Sequence, residues 1–145
     1  MTKKTKRIII PLIFLVLFAA AYGYYLYNKG PLSVVNSSAI EMSADDLYTE
    51  FSTDPANATK RYAGKILAVS GTVKSHSTNQ QKQMIILIKT YANGGFINCT
   101  MEENGVQVKE GMRVIIKGIC SGIGSGDEDL GIRGDVYLAR GYVIN

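Results

Sequence analysis

Two cysteines, one histidine and one acidic run are the residues of this chain whose types could do chemistry. Cys99 and Cys120 are the most informative pair. A bridge between them would close a loop of about 20 residues, worth ~3 kcal/mol if unstrained. The alternative is two reduced thiols serving as small core residues. Two thiols without a further Cys or a His leave zinc short of ligands, so no metal site is read from them. His76 is the only histidine. A general base needs a positioned nucleophile and an orienting partner, and neither accompanies it, so it reads as a surface residue. Asp127-Glu128-Asp129 lies in a glycine-rich stretch. Calcium wants six or more oxygens, and the Asp-x-Asp-x-Asp-Gly spacing is missing, so this run reads as a solvated acidic loop. No catalytic set, cofactor site or metal site emerges, and the chain is expected not to be an enzyme.

Binding is the chemistry that remains. Lys89, Tyr91, Phe96 and Asn98 surround a hairpin whose turn is Ala92-Asn93-Gly94-Gly95. Aromatics there could stack on a ligand, and cations could meet phosphates. Lys74 and Lys117 are placed to flank this candidate ligand face. Ile85 and Leu87 fall on the same outward side, which suits a protein or envelope partner. The helical stretch 43–62 is expected to cover that apolar side.

The elements that must position these residues fall into clear segments. Lys3, Lys4, Lys6 and Arg7 precede an uncharged run of 20 residues, Ile8 to Tyr27. As a helix that run spans about 30 Å, the thickness of a bilayer's hydrocarbon core. Tyr22, Tyr24, Tyr25 and Tyr27 gather at its end as an aromatic belt, and Lys29 and Gly30-Pro31 close it. Pro11 is expected in the first helical turn, where a missing N–H costs little. The basic flank predicts a cytoplasmic N-terminus and an extracytoplasmic domain, in a single-pass protein of the cytoplasmic membrane. The competing reading is a signal peptide cleaved near Ala21, after Ala19-Ala20-Ala21, which would give a secreted or periplasmic domain. The whole net charge of +4 sits in this flank. Residues 8–145 are therefore neutral, which argues against a nucleic-acid partner held by backbone charge.

Beyond the helix, residues 28–42 read as a linker rich in Gly, Pro, Asn and Ser. Ser43 is a good N-cap, with Asp45 and Asp46 in the following turn. Leu47, Tyr48 and Phe51 follow at helical spacing, and Asp54-Pro55 interrupts a helix that Ala56–Tyr62 resumes. From Gly64 the period changes to two. Leu67, Val69, Gly71 and Val73 define the first strand, and Ser75–Gln83 reads as a polar turn. Met84–Ile88 is the second strand, and Phe96–Met101 the third. The fourth carries Val114, Ile116, Gly118 and Cys120, and Asp135–Ile144 is the fifth. The segments are thus 1–7, 8–27, 28–42 and a domain over 43–145. That domain is mainly β: a five-stranded OB-fold-like barrel preceded by a short helical segment. The connection between its third and fourth strands is too short for a full helix.

Tyr62-Ala63-Gly64-Lys65, Val69-Ser70-Gly71-Thr72-Val73, Cys99 and Lys117-Gly118-Ile119-Cys120-Ser121-Gly122 resemble the tRNA-anti-like family of bacterial OB-fold proteins. The resemblance covers about residues 43–145. It implies a helix-then-barrel fold on a small anchored or exported protein, and no particular activity. The leading functional reading is a membrane-anchored extracytoplasmic binding module for a protein or envelope component. A single-stranded nucleic-acid binder and a passive, membrane-tethered assembly protein are the alternatives. Nothing in the sequence specifies a ligand, a pathway or an oligomeric state.

Overall fold

The structure is a computed structural model, and it describes residues 3–28, 33–91, 95–127 and 129–144. Lys29–Pro31, the turn residues Ala92–Gly94, and Glu128 of the acidic run lie outside the described residues. The chain divides into two compact units, residues 1–33 and 34–145.

The first unit holds α1 (Lys3–Asn28). Residues Ile9–Asn28 form a stretch long and apolar enough to cross a membrane, and none of it is buried against protein. Both a membrane anchor and a signal sequence meet that description. The helix starts five residues before the apolar run, so Pro11 lies inside it rather than in its first turn. Proline there removes one backbone hydrogen bond, which apolar membrane helices commonly tolerate.

The second unit is a mainly β domain. Its elements are β1 (Ile40–Ser43), α2 (Ala44–Thr53), α3 (Pro55–Tyr62), β2 (Ile66–Thr78), β3 (Met84–Lys89), β4 (Phe96–Met101), β5 (Arg113–Ile123) and β6 (Val136–Val143). Strands β2 to β6 close a barrel in the order β2-β3-β4-β6-β5, with β5 returning to β2. That closure leaves no long free edge among the five. The β4–β6 pair is parallel and the other barrel pairs are antiparallel, as in an OB-fold. No helix occupies residues 102–112; Val108 instead packs on the core from that connection.

Alternation decides what faces inward. Leu67, Val69 and Val73 on β2, Ile86 and Ile88 on β3, and Ile97, Cys99 and Met101 on β4 are all buried. β2 runs on to Thr78, so Ser75–Thr78 pair with β3 rather than turning. The polar side chains there fit a strand because they sit at its solvated end, past a bulge between Val73 and Ser75.

The helices form as their caps dictate. Ser43 accepts the Asp46 N–H at 3.0 Å, and the Asp54 carboxylate accepts the Asn57 N–H at 3.1 Å with Pro55 at the next position. Their apolar stripe, Ala44, Leu47, Tyr48, Phe51, Ala58 and Tyr62, joins the same core cluster as the barrel interior. The stripe therefore plugs one end of the barrel. It does not cover the outward side of β3, because its apolar residues meet the inward-facing strand residues instead. Gly71 permits this approach: a Cβ there would lie 2.3 Å from Ile88 Cγ2 and 3.1 Å from Ala44 Cβ.

The folded unit also begins earlier than residue 43. Ile40–Ser43 pairs in parallel with Leu67–Ser70, and Val34 is fully buried. Most of the stretch that composition marks as linker is thus part of the domain.

Candidate functional site

The expected ligand face assembles in part. On the outer side of the barrel Lys89 stands opposite Phe96, and Leu87 opposite Asn98. Asn98 in turn stands opposite Tyr137 on β6, and Ile85 opposite Thr100 on β4. The result is a patch of half-buried apolar and amide side chains with Lys89 at its end. The Phe96 N–H donates to Asp135 Oδ1 at 3.1 Å, which fixes the start of β4. Tyr91 lies past the strand end and is 92% exposed. Its N–H donates to Asp45 Oδ1 at 2.7 Å, so this rim residue is tied to the first turn of α2.

The two flanking lysines are otherwise engaged. Lys74 forms an exposed ion pair with Glu110 at 3.7 Å. Lys117 lies on the outer side of β5, between β2 and β6. Its ammonium donates to the carbonyls of Val35 (3.0 Å) and Ser37, away from the hairpin. His76 is exposed and pairs with Ile86 across the β2–β3 ladder. In the acidic loop, Asp127 Oδ1 accepts the N–H groups of Asp129 (3.1 Å) and Leu130 (3.2 Å), so this carboxylate closes its own turn.

Two of the cavities that border the helices lie against the barrel as well. One, of about 660 Å³, lies between α2 and the glycine-rich loop Gly124–Gly134. Tyr48, Phe51, Ile123, Ile132 and four glycines line it, and among the described residues Arg133 is its one charged residue. The Tyr48 hydroxyl donates to Gly134 O at 3.0 Å and holds the loop to the helix. The other cavity, of about 280 Å³, lies between the N-terminal turn of α2, the middle of β2, the end of β3 and the start of β5. Lys89 and Tyr91 line it together with Arg113, Ser70 and Thr72. Sequence reasoning missed the last three, since only the register Thr72↔Arg113 brings β5 beside this gap.

Cys99 and Cys120 are free and buried. Each is the ladder partner of Leu138, one on β4 and one on β5, so β6 stands between them. Two strand spacings amount to about 10 Å, beyond what a disulfide spans. Burial raises both thiols from their ordinary value of 9.0, and at Cys120 a backbone hydrogen bond from Gly122 opposes the shift. Burial likewise raises Tyr48 from 10.0, with Arg133 opposing and Asp135 adding to the shift.

These shifts have one sign. Each group is neutral when protonated and keeps its proton to higher pH in the folded state than in the unfolded chain. Stability is therefore complete below about pH 9 and is lost as pH rises beyond it. Urea midpoints of the full chain in non-ionic micelles are expected to fall from about pH 9 upward; a flat profile would contradict buried thiols. Iodoacetamide is expected to modify neither cysteine in the native chain. In denaturant it should modify both without added reductant.

A search of the curated proteins returns no match. Among models of known protein families, tRNA_anti-like matches residues 1–128, from the apolar helix through β5. That family and the OB-like barrel together support a binding module of unknown ligand. The match spans most of the chain, and the protein belongs to the tRNA_anti-like family.

Proposed function

We propose that this protein is a membrane-anchored, extracytoplasmic binding module that contacts a protein of the cell envelope through the outer face of β3 and β4. It carries out no reaction of its own in this reading. The observation that supports the reading is the outward side of β3 and β4. Ile85, Leu87 and Phe96 make it apolar, Tyr137 of the adjacent β6 extends it, and the helices plug the barrel end instead of covering it. An apolar centre with Asn98 and Lys89 at its border and a fully projecting Tyr91 has the make-up of a protein-contact patch. The basic residues Lys3, Lys4, Lys6 and Arg7 at the start of α1 support the orientation, with the barrel on the far side of the membrane.

Photo-crosslinking in intact cells tests it. A crosslinker placed at Thr100 is expected to trap a discrete partner. The double variant Tyr91→Ala/Phe96→Ala should reduce that product at least tenfold, the effect of losing two aromatic anchors. An unchanged set of crosslinked products would remove this face from consideration.

A further inference from the structure

The gap beside β2 is a built feature of the sheet. β5 occupies one edge of β2 over Ile66–Thr72. On the opposite edge β1 pairs only as far as Ser70, and β3 begins only at Val73. Gly71 and Thr72 thus have no ladder partner on that edge. Val73 exchanges backbone bonds with Met112 and Gly111, on the β5 side. Alternation along the strand then turns the N–H of Thr72 toward the gap. The gap is the cavity of about 280 Å³, walled by Ser43–Asp45 on one side and Lys89–Tyr91 on the other, with Arg113 at its edge.

Its charge is unbalanced. Among the described residues neither Lys89 nor Arg113 has a carboxylate within ion-pair distance. The carboxylate lining the gap is Asp45, and one of its oxygens is taken by the Tyr91 N–H. Ser70 and Thr72 add hydroxyls from the strand between the two cations. An ammonium, a guanidinium fork and two hydroxyls offer more donors than a carboxylate's two oxygens can use. A phosphoryl group, with three or four acceptor oxygens and one or two negative charges, matches them better. The volume lies just below the range of drug-sized pockets, which suits a headgroup-sized ligand.

We propose that this gap binds the phosphoryl group of a small phosphate ester, held by Arg113 and Lys89 across Thr72. The site shares Lys89 and Tyr91 with the border of the β3–β4 contact face, whereas Arg113 belongs to it alone. The ligand's phosphoryl group belongs either to a soluble ester or to an anionic lipid headgroup.

The test uses the full chain and backbone amide NMR. In non-ionic micelles, glycerol 3-phosphate and inorganic phosphate should shift the Gly71 and Thr72 amides saturably, and acetate at equal concentration should not. Arg113→Gln and Lys89→Gln should each weaken the affinity about tenfold, as loss of one charge-assisted contact would. Asp45→Asn, which removes the opposing charge, should tighten it several-fold. In phosphatidylcholine nanodiscs, the same shifts on adding phosphatidylglycerol assign the lipid source; shifts with the soluble ester alone assign the free one. Absence of saturable shifts from every phosphate probe overturns the proposal. So does an equal response to acetate, or a response that all three variants leave unchanged. Because Arg113→Gln spares Tyr91 and Phe96, crosslinking to a protein partner should survive it, and the two readings can fail separately.

Discussion

Replacing Phe51 by alanine is expected to cost the domain about 3–5 kcal/mol, most of the stability a unit of this size has. Phe51 has no exposed surface, and its ring meets Tyr62 of α3 at 6.2 Å between centroids in a tilted pair. It therefore joins the two helices to each other and both to the barrel end. The surroundings cannot collapse into the space it would leave. On one side are barrel strands fixed by closure; on the other, Tyr48 is held by its bond to Gly134. Gly95 lies so close to the Tyr48 ring that a Cβ there would fall 2.0 Å from it. A cavity that cannot relax carries both the lost transfer energy and the lost contacts. The full chain in non-ionic micelles should show the Phe51→Ala midpoint lowered by more than about 10 °C in near-ultraviolet circular dichroism. The exposed neighbour Ser52→Ala should stay within about 0.5 kcal/mol of the parent. A Phe51→Ala loss no larger than that of Ser52→Ala would mean that the helices do not plug the barrel.

That plug was half legible in the sequence. Ser43, the two aspartates after it and the Asp54-Pro55 break define where α2 and α3 start and stop, because caps act within four residues. The stripe Leu47, Tyr48, Phe51 says that one face must be buried. It does not say against what. The outer side of β3 and the open end of the barrel are both apolar in sequence, and only closure of the sheet decides between them. Strand alternation was legible for the same local reason: Ile97, Cys99 and Met101 could face only one way. The binding residues divide similarly. Lys89, Phe96 and Asn98 share a face because a hairpin sets their register locally. Arg113 reaches the same neighbourhood through a β2–β5 pairing of residues about 40 positions apart, which no local pattern reports.

The segment that composition marks as linker leads to the second large effect. Lys117→Met is expected to release the strap over residues 34–39 and to cost about 1–3 kcal/mol. Lys117 is only 9% exposed, and its ammonium satisfies the carbonyls of Val35 and Ser37. Methionine keeps the apolar stem against the barrel and removes only the donors. The two carbonyls must then stay under-bonded or turn to water, and the second course lifts the strap. β1 follows directly, so its parallel pairing with Leu67–Ser70 should weaken with it. Hydrogen exchange can see this without global unfolding. In Lys117→Met, protection of the amides over Ile40–Ser43 should fall at least tenfold more than that of Ile86 or Ile97 in the barrel. Equal losses in both places would mean that Lys117 supports the barrel as a whole. No loss would mean that Val34 holds the strap unaided. Gly, Pro, Asn and Ser make this stretch look like a linker because no apolar period runs through it. Its order comes instead from a donor about 80 residues away, and from the single buried side chain of Val34.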